Sequence, residues 1–209
     1  MALDLGSTNW KGYHVKKLGL ILAAAAAMIV GNNSYANDLM LEVMNSQAQI
    51  AVATELGAKN VINWKVGDHA EYNIHAMNQD VGKLSMRADR EEGNAVWMIQ
   101  DMTGFQKQKV ETLIDRLNGK TLKYIVNGQE QAAPADKLNI VSQDQQSVTV
   151  PAGTFDAIHI VATTDNQQVK QMEIWANPRD ILLSGMAQTK IDTTQGISVL
   201  VQLLAFGHQ

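Results

Sequence analysis

The chain has 209 residues, no cysteine, 17 Lys plus Arg against 21 Asp plus Glu, and 45% apolar side chains. The zero excludes disulfide scaffolds, Cys-based zinc ribbons, iron–sulfur clusters and thiol nucleophiles, and a net charge of -4 gives no electrostatic footprint for nucleic acid. The length predicts one domain able to bury a full core, and three prolines argue against a disordered chain.

The first element is an address. Lys16-Lys17 precede a run of thirteen apolar or small residues, Leu18 to Val30, and Ser34-Tyr35-Ala36 then places small residues before Asn37. A basic segment, a short apolar segment and a small-x-small site predict a secretory signal peptide over residues 1–36, cleaved after Ala36. The rival, a membrane anchor, is disfavoured by reach, because thirteen helical residues at ~1.5 Å each span about 20 Å of a ~30 Å hydrocarbon core. No Cys follows the run, so lipidation there is excluded. An internal start at Val15 in place of Met1 would give a compact leader of 22 residues. Cleavage removes Asp4, Lys11, Lys16 and Lys17, which takes the charge from -4 to -6 over 173 residues. A periplasmic or otherwise exported protein, not membrane-spanning after cleavage, is expected.

From Asn37 to about Leu56 there is no glycine or proline, and alanine, leucine, methionine, glutamate and glutamine dominate. Asn37 or Asp38 can cap a helix there and Gly57 can end it. Its broad apolar stripe predicts packing on a sheet, or a lid over an apolar cavity.

Beyond Asp68 the apolar period changes to two. Ala70, Tyr72, Ile74 and Ala76 alternate with His69, Glu71, Asn73 and His75; Leu84, Met86 and Ala88 alternate with Lys83, Ser85, Arg87 and Asp89. These read as half-buried strands joined by loops of three to five residues at 78–82 and 91–94. Strands are expected near 95–103, 107–117, 120–126, 138–149, 156–164, 169–176, 186–193 and 197–206, with Asn118-Gly119 and Asn127-Gly128 as hairpin turns. About ten strands in meander order and no second long helix make a doubly wound nucleotide-binding fold improbable.

Two strands are apolar on both faces. Trp97 and Ile99 oppose Val96, Met98 and Met102; Ile197, Val199, Val201 and Leu203 oppose Leu200, Leu204 and Phe206. Such a sheet needs cover on both sides. A helix can supply one cover, and a ligand or the sheet's own curl the other.

Catalytic patterns are missing: no Gly-x-Ser-x-Gly, no glycine-rich phosphate loop, no His-Glu-x-x-His and no dinucleotide fingerprint. His69 and His75 share a face but stand ~20 Å apart at about 3.3 Å per residue, too far for one ion. His159 reads as a solvated or edge position. No catalytic residue, metal or cofactor is expected. A transmembrane β-barrel would share the alternation, but Arg87 and Asp89 on the outward phase and the lack of an aromatic girdle weigh against it.

Val148-Thr-Val-Pro151-Ala-Gly153-Thr-Phe155 predicts a strand, a tight turn and a second strand, with Pro151 ending the ladder and Phe155 anchoring the corner. Trp175-Ala-Asn177-Pro178 and Ser184-Gly185-Met186 follow. These motifs, within about residues 64–207, resemble a group of uncharacterised exported bacterial proteins similar to the outer-membrane lipoprotein carrier-like superfamily. The resemblance implies a curved antiparallel half-barrel whose apolar concave face is lidded by helix.

The expectation is therefore a mainly β (α+β) domain over 37–209, a non-enzymatic periplasmic protein binding an acyl chain, lipid or similar apolar small molecule. Its lining would be Tyr72, Ile74, Leu84, Met86, Val96, Met98, Ile158, Ile160, Val199, Val201 and Leu203. These residues would also be the core if nothing binds. The alternative is a cell-envelope interaction or structural protein with a closed core, its partner an envelope protein.

Overall fold

A computed structural model describes residues 62–104, 107–133 and 138–209. The expected leader and the helix at 37–56 lie outside the described residues.

Among the described residues, eleven strands form one antiparallel sheet: β1 (Asp68–Ala76), β2 (Gln79–Glu92), β3 (Ala95–Gly104), β4 (Gln108–Asp115), β5 (Thr121–Val126), β6 (Gln129–Gln131), β7 (Leu138–Val150), β8 (Gly153–Thr164), β9 (Val169–Ala176), β10 (Met186–Thr193) and β11 (Ser198–His208). The strand positions follow the alternation closely, with β6 as an addition. The order across the sheet is β6-β5-β4-β3-β2-β1-β11-β10-β9-β8-β7. This corrects the expected simple meander. Two meanders run outward from the centre, and the first and last strands join them there. Along that seam Ile74 faces Val201 and Ala76 faces Val199. The edges β6 and β7 do not pair with each other, so the sheet is open.

Turn chemistry sets the register. Ala76 pairs with Gln79, so the β1–β2 turn has two residues and not the longer loop read from the sequence. Met77 and Asn78 both take positive φ, at 54° and 62°, the primed turn that suits the twist of a hairpin. Asn127-Gly128 makes the same turn, as its residue types require. Asn118-Gly119 does not. There Asp115 accepts from the amides of Leu117 (2.8 Å, through its carboxylate) and Gly119 (2.8 Å, through its carbonyl), holding a longer turn.

A bulge between Glu71 and Tyr72 changes the phase of β11: Tyr72 faces Leu203, and Ala70 faces Phe206. Phe206 therefore shares a face with Leu203 and does not oppose it, contrary to the strict alternation. One extra residue moves every later side chain to the other face.

The sheet curls. Strands four places apart in a flat sheet stand about 19 Å from each other at ~4.8 Å per strand. Yet the amide of Ala152, in the β7–β8 turn, donates to the Leu203 carbonyl on β11 at 3.1 Å. The Phe155 and Phe206 rings meet at the same end, their centroids 6.1 Å apart. Pro151 and Ala152 form that turn, as the missing Pro N–H and the φ of +140° at Gly153 allow.

Candidate functional site

One face of the sheet, here called inner, carries a continuous apolar surface. Register places Tyr72 beside Leu84 and Leu203, Ile74 beside Val201, Met86 opposite Gln100, Val96 opposite Ile114, and Met98 opposite Thr112. On the other half, Val199 faces Ile191, Val201 faces Thr189, Thr189 faces Ile174, and Ile174 faces Ile160; Ile158 faces Ala176. All eleven residues expected to line the site thus share this face. Ten of them are buried with at most 2% exposure, and Ile158 is half-buried. Full burial of a side chain of this size contributes roughly 1.5–3 kcal/mol.

The loop from β9 to β10 closes one end of this face, and it explains the Trp-x-Asn-Pro and Ser-Gly-Met motifs. Asn177 ties the loop together: its amide nitrogen donates to the Asp156 carbonyl (3.0 Å) and to Asp180 (2.7 Å), while its side-chain oxygen accepts from the amides of Arg179 and Asp180. Gly185 has φ +69°, and a Cβ there would lie 2.6 Å from Pro178 Cα, so only glycine fits. Ile181 and Leu183 of the loop are buried. The Tyr72 hydroxyl reaches Ser184 Oγ and donates to the Met186 carbonyl, both at 3.2 Å, and the Trp64 indole donates to the Leu183 carbonyl at 3.0 Å.

Polar groups that the sequence reading missed sit within the apolar parity. Gln100 on β3 and Thr112 on β4 have no exposure; Tyr124 on β5 has 3% and Gln108 on β4 has 6%. Among the described residues, both amide atoms of Gln100, Gln108 Oε1, Thr112 Oγ1 and the Tyr124 hydroxyl have no hydrogen-bond partner. Burial pushes the Tyr124 phenol up to about 12. An orphan of this kind costs about 1–3 kcal/mol, so four residues with such groups on one face need a reason. The only signal in the sequence was a polar residue standing in an apolar phase, which alternation alone treats as noise.

The outer face is covered by its own long side chains. Trp97 packs with Ala95, Leu113 and Ile125. The Arg90 guanidinium lies 4.5 Å from the Trp97 ring centroid and the Lys123 ammonium 5.9 Å, while the indole donates to Glu92 at 2.9 Å. These contacts supply cover on that side of β3.

His159 is also on the outer face, and it is buried, not solvated as its phase suggested. Its ring stacks on Trp175 with centroids 4.5 Å apart, and its two nitrogens stand 2.9 Å from Asp144 and 3.2 Å from Glu173. The Gln146 amide and then His159 hold the Asp144 carboxyl below its usual range. Lys190 closes the network on Glu173 (3.1 Å) and Asp192 (3.0 Å). His75 pairs instead with Asp80 and His208 with Asp68. Among the described residues no cluster of three or more His, Asp or Glu side chains has the geometry to hold a metal ion.

No protein-family model matches the chain, and no curated protein matches it. Solved structures do. A hypothetical protein of Chlamydia trachomatis, CT021, is 16% identical, with 71% of this chain and 90% of that one covered and a TM-score of 0.49. A Bacteroides fragilis protein with a YmcC-like fold is 8% identical over 72% of this chain and 100% of that one, at a TM-score of 0.44. MucB in the Pseudomonas aeruginosa MucA/MucB complex is 12% identical over 78% of this chain and 56% of its own, at 0.42. At these identities and scores the likenesses assign neither a family nor an activity to the chain.

Proposed function

We propose that this is an exported, non-enzymatic protein of the cell envelope that holds an acyl chain, lipid or similar apolar ligand against the inner face of its sheet. The supporting observation is the continuous buried apolar surface running from β3 through β1 and β11 to β8, on an open sheet that curls without pairing its edges. An acyl chain of about ten methylenes offers roughly 8 kcal/mol gross on burial, at ~0.8 kcal/mol each, before the costs of ordering. Met86, Met98 and Met102 line the face, and thioether side chains adapt to flexible apolar partners. The basic, apolar and small-x-small sequence before Asn37 supports export.

The near-zero exposure of ten lining residues favours a second reading, in which the face is filled by the protein itself and the partner is another envelope protein. Native mass spectrometry of the protein purified from the periplasmic fraction separates the two. A population carrying added lipid mass, lost on organic extraction, is expected. A uniform apo mass that acyl probes leave unchanged would overturn the binding reading and leave the second.

A further inference from the structure

The orphaned polar groups of β3, β4 and β5 lie together. Thr112 and Tyr124 are direct cross-strand partners, and Val110 between their neighbours faces Gln100 on one side and Val126 on the other. Direct partners have Cβ atoms about 5 Å apart and diagonal ones about 7–8 Å, so Tyr124, Thr112 and Gln100 form one short diagonal row. Gln108 faces Met102, one diagonal step from Gln100. Around the row stand Met86, Met98, Met102, Val110, Ile114 and Val126, all buried.

Among the described residues, charge is missing from this patch. The inward residues Leu84, Met86 and Ala88 of β2, Val96, Met98, Gln100 and Met102 of β3, Gln108, Val110, Thr112 and Ile114 of β4, and Tyr124 and Val126 of β5 include no acid and no base. A carboxylate or phosphate buried here would find no counter-charge among the described residues, and burial penalises that far more than a neutral polar group. The row instead offers amide and hydroxyl donors together with amide and hydroxyl acceptors, the complement of an ester or amide carbonyl with a neighbouring hydroxyl.

We infer that this row is the head subsite of the ligand: Gln100, Thr112 and Tyr124 hydrogen-bond the uncharged ester or amide group of an acyl compound whose chain lies on the apolar face toward β1 and β11. The inference rests on the acyl-binding reading above and narrows it to neutral acyl esters and amides over free fatty-acid anions. Tyr124 stays protonated throughout the physiological range and so remains a donor.

The test uses the full-length gene product as purified from the expressing cell and stripped of lipid, titrated at pH 8 with 1-monolauroylglycerol and, separately, with sodium laurate. The wild type is expected to bind the glycerol ester roughly tenfold or more tightly than the anion. Gln100→Leu with Thr112→Val is expected to weaken the ester about tenfold and leave laurate unchanged, the size expected for lost buried hydrogen bonds. Tyr124→Phe, which removes an oxygen and leaves the ring, should weaken the ester several-fold with the fold retained by circular dichroism. If the variants bind the ester as the wild type does, or the wild type prefers laurate or fails to discriminate, the head subsite is wrong and acyl binding stands. If neither compound binds the wild type, both readings fail.

Discussion

Two tyrosines show how the same side chain serves opposite ends on one face. The Tyr72 hydroxyl has Ser184 and Met186 as partners and ties the β9–β10 loop to β1; the Tyr124 hydroxyl has no partner among the described residues. Burial pushes both phenols up to about 12, with the Ser184 hydrogen bond pulling Tyr72 slightly back. Below pH 10 both phenols are protonated, folded or unfolded, and the stability they support is complete. Between pH 10 and 12 the unfolded chain releases protons that the folded chain keeps, so stability falls as pH rises. Each phenol raised this far corresponds to on the order of 2–3 kcal/mol. Thermal melts followed from pH 8 to 11.5 are therefore expected to hold steady to about pH 10 and then drop. The Tyr72→Phe/Tyr124→Phe double variant should drop less steeply. Equal slopes in the two proteins would show that other groups carry the alkaline loss.

At the scale of strands, the pairing of β1 with β11 decides where stability lies. Both have neighbours on each side, whereas β6 has three exposed residues and β7 is exposed from Asn139 to Ser147. Hydrogen exchange is expected to be slowest in β1, β2 and β11 and fastest in β6 and the outer half of β7. Protection of β7 equal to that of β1 in the isolated protein would mean that its edge is covered by another strand. The strands themselves were legible because alternation is local: Ala70-x-Tyr72-x-Ile74 announces its own pleat. Their order was not, because every strand carries the same alternation and nothing in it names a partner 131 positions away, as Tyr72 and Leu203 are. Phe206 changed face for a related reason, since the bulge beside Tyr72 is set by pairing and is invisible in β11 alone. His159 was misjudged because burial on the outer face comes from Trp175, Gln146 and Glu173, which lie on other strands or across a hairpin.

For the molecule as a whole, the candidate face was legible as far as it is apolar. Its eleven expected residues fall on one side because parity and register agree everywhere that no bulge intervenes. The polar row was not, because Gln100, Thr112 and Tyr124 become a group only when β3, β4 and β5 are laid side by side. The central claim is that an acyl compound sits on this face. Methionine methyl resonances read it directly, since Met86, Met98 and Met102 are buried on the face and Met77 stands 43% exposed in a turn. In a protein labelled at the methionine methyls and titrated with a medium-chain monoacylglycerol, saturable shifts at Met86, Met98 and Met102 with Met77 unmoved are the predicted result. No shift at the three buried methyls, or a change confined to Met77, would contradict the account.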